Sequence, residues 1–190
     1  MNKALVIIDF INDIVDKNGK IPSCAEQVSA HHVIHNANIA IQWARENNVP
    51  CIFIKVGFQS SYLELPHQSP MFGKAQQYRA LELGHWGTDF HPDLNVTEQD
   101  MVIIKSRVNP FYNTALDSVL RANAITDVYF CGVSTCWAIQ SAVRDAHDRD
   151  YCVHIISDAC TSATEQDHQR SLAMLARIAT LHQAKTLTHL

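Results

Sequence analysis

Five short, nearly unbroken apolar runs constrain this chain more than any other feature. They are "ALVIID" (Ala4–Asp9), "VPCIFIKV" (Val49–Val56), "MVIIK" (Met101–Lys105), "DVYFCG" (Asp127–Gly132) and "CVHIISD" (Cys152–Asp158). A strand with one wet face alternates apolar and polar residues, whereas a run that is apolar throughout is buried on both faces. Longer helical patterns separate the runs. Val28, His32, Ile39 and Trp43 recur near helical spacing from about Ala25 to Asn47. "TALD" reads as a capping box, with Thr114 as cap and Asp117 at its third position. Further helices are expected from about Thr135 to Asp148 and from roughly Thr164 to Ala179, and "AKTLTHL" (Ala184–Leu190) as a short sixth strand. Strands buried on both faces and alternating with helices predict a three-layer α/β domain over residues 1–190. It would be a six-stranded parallel, Rossmann-like sheet with helices on both faces.

A chain of 190 residues, 47% of them hydrophobic, is large enough for one sizeable core. A net charge of −4 gives no basic footprint for nucleic acid. No apolar run approaches the roughly 20 residues of a membrane span, and Asp9 ends the first run too early for a secretory signal. A cytoplasmic address is therefore expected. The six cysteines include no C-x-x-C pair, so a zinc ribbon is not expected. No G-x-G-x-x-G follows the first run, which argues against a dinucleotide cofactor. No cofactor or metal is expected. Asp89 and His91, in "DFH", have a metal-ligand spacing but precede Pro92 as a turn would.

In open parallel sheets, ligands bind beyond the carboxyl ends of the strands. Three reactive side chains fall just past such ends: Asp9 after "LVII", Lys105 after "MVII", and Cys136 shortly after "VYF". An Asp and a Lys side by side in a dry site perturb each other and supply a general acid or base. Singly, each has a plainer reading: a turn residue, a snorkelling lysine, a buried spacer. The long segment from Gly57 to Val96 is expected to form a lid whose aromatics, Phe58 and Trp86 among them, wall a pocket. Arg107 and Tyr112, in "KSRVNPFYNT", are further candidates for the substrate, Arg107 through a carboxylate.

"ALVIIDFINDI", "VIIKSRVNPFYNT", "DVYFCGVSTCWAIQSAVRDAHDRDY" and "HIISDACTSA…H" together resemble the isochorismatase-like hydrolases, which include many cysteine amidohydrolases. The resemblance implies a catalytic Asp after the first strand and a Lys after the third, matching Asp9 and Lys105. It implies a cis peptide near Val133–Ser134. Its nucleophilic cysteine, counted from Gly132, would fall at position 138, which is Ala138; Cys136 comes two residues early. Residues two apart on a helix differ by about 200° in direction, so Ala138 rather than Cys136 should face the pocket. Ile11 also departs from the family pattern, where a Gln is usual. The reading these features favour is a small-molecule hydrolase using Asp9 and Lys105 on a vinyl ether or related bond. The alternatives are an amidohydrolase acting through Cys136 and a non-catalytic binder of a ligand or partner. The long lid and the resemblance further imply a homodimer or homotetramer.

Overall fold

The computed structural model describes residues 2–189, with Thr188 and His189 described through their backbone only. Six strands form one parallel sheet: β1 (Lys3–Ile8), β2 (Cys51–Val56), β3 (Met101–Lys105), β4 (Asp127–Val133), β5 (Cys152–Thr161) and β6 (Thr180–His182). Their spatial order is β3-β2-β1-β4-β5-β6. The chain first steps outward on one side of β1, then returns and steps outward on the other. The order therefore reverses between β1 and β4, and a crevice opens at their carboxyl ends.

Ala4 to Ile8 are fully buried, so both faces of the central strand are covered. The main helices are α1 (Asn12–Val15), α2 (Ala25–Ala30), α3 (Val33–Glu46), α4 (Ala75–Tyr78), α5 (Leu116–Ala122), α6 (Gln140–Asp148) and α7 (Glu165–Leu175). The α3 helix buries Ala37, Ala40, Ile41 and Trp43, and the Trp43 ring lies 5.2 Å from Tyr129 of β4. Close approach of β1 and β4 requires Gly132. Its φ is +130°, and a Cβ there would stand 2.1 Å from the Ile8 carbonyl oxygen.

Four sequence expectations change. The helix expected from Ala25 to Asn47 is two helices, because His32 turns into the left-handed region at φ +52°. The sixth strand is Thr180–His182, and "AKTLTHL" begins a 3-10 turn, Ala184–His189; Leu190 lies outside the described residues. "TALD" is not a capping box. Thr114 Oγ1 instead accepts from the Leu116 amide and donates to the Pro110 carbonyl, and Ala115 precedes α5. β3 is an edge strand, so Met101, Val102 and Ile104 are exposed rather than covered on both faces. No described helix is long and apolar enough to cross a membrane.

Candidate active site

Asp9 is the first residue beyond β1 and takes a left-handed turn at φ +59°, a region that Asp enters more readily than most residues. Its amide donates to the Ile54 carbonyl (2.9 Å), and its Oδ1 accepts from the Val56 amide (2.8 Å). Both bonds go to β2, so the carboxylate is fixed against the neighbouring strand. Lys105 ends β3 and registers with Val56. Its Nζ donates to Asp9 Oδ2 at 2.7 Å and to the Arg107 carbonyl at 3.2 Å. The pair is buried, with Asp9 4% and Lys105 2% exposed. Burial pushes the Asp9 carboxyl above its usual range, although Lys105 and the Val56 amide pull the other way.

The β4 strand runs into a cis peptide at Val133–Ser134, followed by a π-helical turn, Thr135–Ile139, that leads into α6. Two buried hydrogen-bond partners hold this turn. Thr135 Oγ1 lies 2.8 Å from His168 Nδ1 of α7, and the Cys136 amide donates to Ser162 Oγ at 3.1 Å. Burial lowers the pKa of His168, favouring the neutral ring.

A cavity of about 320 Å³ opens over the Asp9–Lys105 pair. Val56, Val133 and Ser134 complete its floor, Trp137 and Ala138 form one wall, and Cys24, Met71 and Phe72 lie among its other walls. Ala138, the position reached by the ungapped count, therefore lines the cavity. Cys136 does not; its Sγ lies 3.7 Å from Ser134 Oγ and the residue is half-buried. A larger hollow of about 550 Å³, bordered by His31, Glu165 and His168, receives neither Asp9 nor Lys105. The smaller cavity is the better candidate because it alone contains the charged pair at the topological switch point.

The other expected substrate contacts lie elsewhere. Phe58 is fully buried against Tyr62 and Phe72, inside the lid's own core. Trp86 and Tyr112 are exposed and outside the cavity wall. Arg107 turns its guanidinium to the Glu64 and Ser106 carbonyls, at 2.9 and 2.6 Å. Asp89 and His91 form no cluster: among the described residues no group of three or more His, Cys, Asp or Glu is placed to hold a metal ion.

Several residues that shape the site were not singled out by sequence. Asp13 accepts from the Leu81 amide (2.7 Å) and the Lys20 amide (3.0 Å). Asn12 donates to the Trp86 carbonyl at 2.8 Å. Both are buried, and they fasten the lid segment to the turn that carries Asp9. The polar pair immediately after a buried strand was the available signal. Cys24 and Met71 reach the cavity through loop geometry that no spacing rule predicts, while Phe72 is a lid aromatic that walls the pocket as expected.

An open parallel sheet with a buried acid–amine pair at its reversal point places the protein among three-layer α/β proteins with a reactive site at the strand ends. The isochorismatase domain matches residues 3–186, and the chain belongs to the isochorismatase family and is a hydrolase. It is 30% identical over 181 residues to the ureidoacrylate amidohydrolase RutB of Acinetobacter baylyi, spanning 88% of this chain and 74% of that one. Its fold matches an isochorismatase-like hydrolase from Alkaliphilus metalliredigens with a TM-score of 0.80, at 23% identity over 100% of this chain and 99% of the other. It also matches N-carbamoylsarcosine amidase from Thermoplasma acidophilum, with a TM-score of 0.75 at 21% identity over 97% of each chain.

Proposed function

We propose that this protein is an amidohydrolase that cleaves the C–N bond of a small molecule held over Asp9 and Lys105. The observation that carries the reading is the buried 2.7 Å pair at the floor of a half-open cavity, in a chain 30% identical to a ureidoacrylate amidohydrolase. That relationship favours C–N cleavage over the vinyl-ether hydrolysis that the sequence alone suggested. It also favours catalysis over the purely binding alternative.

In this mechanism Asp9 is the proton carrier. A carboxylate whose pKa is raised by burial accepts a proton more readily than one in water. Water attacks the carbonyl carbon as Asp9 takes its proton; a C–O bond forms and the carbonyl π-electrons move to oxygen. The tetrahedral species collapses, the C–N bond breaks, and Asp9 returns the proton to the departing nitrogen. The products are a carboxylic acid and an amine or ammonia. Lys105 keeps the Asp9 charge compensated and oriented through the cycle. Ala138 puts a methyl group where a nucleophile would otherwise stand, which leaves room for that water.

One observation favours a second, covalent route. Cys24 lines the same cavity, where burial first, and then the neighbouring Cys136 and Asp9, raise its pKa. Attack by Cys24 would pass through a thioester before water enters. Burial, the main effect, pushes that thiol up to about 11, so it would need Asp9 as base at the moment of attack. Cys136, the thiol that the sequence brought forward, is not itself in the lining, but it sits between Ser134 and Trp137, which are, and lies near enough to Cys24 to raise that thiol's pKa, so the thioester route can equally be drawn through Cys136.

The test is a panel of small amides and ureido compounds, including ureidoacrylate, with amine or ammonia release as readout. Turnover by the wild type and none by Asp9→Asn is expected. Absence of turnover across the panel would remove the reading, and loss of turnover in Cys24→Ala with the fold intact would select the covalent route.

A further inference from the structure

The charge balance of the cavity wall bears on what it admits. Asp9 and Lys105 are bonded to each other and sum to zero. Cys24 is held neutral by burial. Among the described residues, no other acidic or basic side chain lines this cavity. Of the other cations nearby in sequence or fold none reaches the lining: Lys74, two residues past Phe72, is exposed, and three others are turned to protein partners. Arg107 donates to two carbonyls, Lys20 Nζ donates to the Arg79 carbonyl (2.6 Å), and Arg79 pairs with Glu82 at 3.0 Å. The remaining surface is largely apolar, with Ile14, Phe72, Leu81, Val108 and Trp137 facing inward.

A carboxylate entering such a space would lose its water and gain no free cation. The one ammonium present is spent on Asp9, whose own charge repels a second anion. An apolar group entering the same space loses nothing and removes its surface and the wall's from water. The volume, about 320 Å³, is at the small end of ligand cavities and suits a single ring or a branched acyl chain.

We propose that the site selects uncharged amides with an apolar acyl arm, aromatic or branched aliphatic, and discriminates against substrates that carry a carboxylate. This rests on the amidohydrolase reading for the scissile bond but not for the charge preference, which the wall alone determines. It separates this chain from the anionic substrate class considered above.

The experiment uses benzamide and its 4-carboxylate, which differ by one charged group. Binding to the full-length wild type is measured by calorimetry at two salt concentrations, and turnover by product formation. Benzamide is expected to bind at least about tenfold more tightly, a difference that a single unpaired buried charge readily produces. Met71→Lys places a cation at the cavity wall, at a residue 44% exposed and so tolerant of a charged head. It is expected to narrow the gap, more so at low salt. Equal or tighter binding of the carboxylate by the wild type would overturn the proposal, and so would failure of benzamide to bind. Selective binding of benzamide without hydrolysis would uphold the charge preference and count against the amidohydrolase reading. Equal hydrolysis of both amides would do the reverse.

Discussion

The Lys105 ammonium reaches the Asp9 carboxylate across an entire intervening strand, since β2 separates β3 from β1. The Val56 amide of that strand bonds the other carboxylate oxygen, so three adjacent strand ends meet at one side chain. Asp9→Asn removes the proton carrier and leaves Lys105 buried without its counter-charge. Loss of activity is expected, with a smaller loss of stability than Lys105→Met causes, because burial already favours the neutral Asp9 that Asn imitates. Asp9→Asn combined with Lys105→Met should recover much of what Lys105→Met loses and none of the activity. Urea unfolding of the two singles and the double measures both; additive losses would mean the pair is not energetically coupled.

The Asp9 pKa shift has a definite sign for pH. Its folded pKa is raised, chiefly by burial. Its contribution to stability is therefore full below the unfolded carboxylate pKa and is lost as pH rises through the folded value. Activity should move the opposite way, rising over that same window as the base form appears. A pH series of kcat/KM with parallel thermal unfolding should show the two trends crossing, and the stability slope should flatten in Asp9→Asn.

Alkylation should not single out Cys136. Cys152 is exposed, Cys136 is half-buried behind Ser134 and Trp137 of the cavity wall, and the other four are buried. Iodoacetamide at neutral pH, followed by peptide mapping, is expected to mark Cys152 first. Cys136→Ser should cost about 0.5–1 kcal/mol and leave turnover near wild type. Rapid labelling confined to Cys136 with parallel inactivation would return that thiol to the reaction.

Gly132→Ala tests how β1 and β4 approach each other. The left-handed backbone alone costs a side chain about 1–3 kcal/mol, and the added Cβ would collide with the Ile8 carbonyl. A large drop in the denaturation midpoint is expected, with a further loss of activity because Ile8 adjoins Asp9.

A homodimer or homotetramer is expected in solution. Met101, Val102 and Ile104 leave an apolar stripe on the edge strand, 39%, 43% and 49% exposed, and such edges invite pairing or cover. Light scattering at micromolar concentration gives the mass directly; the mass of one chain would rule this out.

Sequence carried the strands well because burial on both faces leaves an unbroken apolar record, as in Ala4 to Ile8. It failed where that record is short or continuous across a break. Thr180–His182 is three residues long and at the edge, too brief to stand out. The helical spacing of Val28, His32, Ile39 and Trp43 runs straight through the left-handed turn at His32, so nothing in the pattern marked the division of α2 from α3. At the site, Asp9, Lys105 and Ala138 were legible because strand ends and motif spacing fix them. Phe72 is one of the lid aromatics expected to wall a pocket and it does, whereas Cys24 and Met71 were not legible, since loops bring them to the cavity. Phe58 and Trp86 were chosen as aromatic, but one fills the lid's interior and the other lies on its surface.

The two carboxylate bonds of Asp13 have a consequence for how selectivity can drift. They moor Leu81 and Lys20, and with them stretches that lead to the cavity's roof, to a residue four positions from the proton carrier. The reactive floor belongs to the sheet and cannot shift without breaking strand register, whereas the roof hangs from a few side-chain tethers. Substitutions at Met71 or Phe72 can therefore re-tailor what fits while Asp9 and Lys105 stay in place. A substitution at Asp13, or at Asn12 beside it, would instead loosen roof and floor together, so chemistry and selectivity are tied to each other at that mooring.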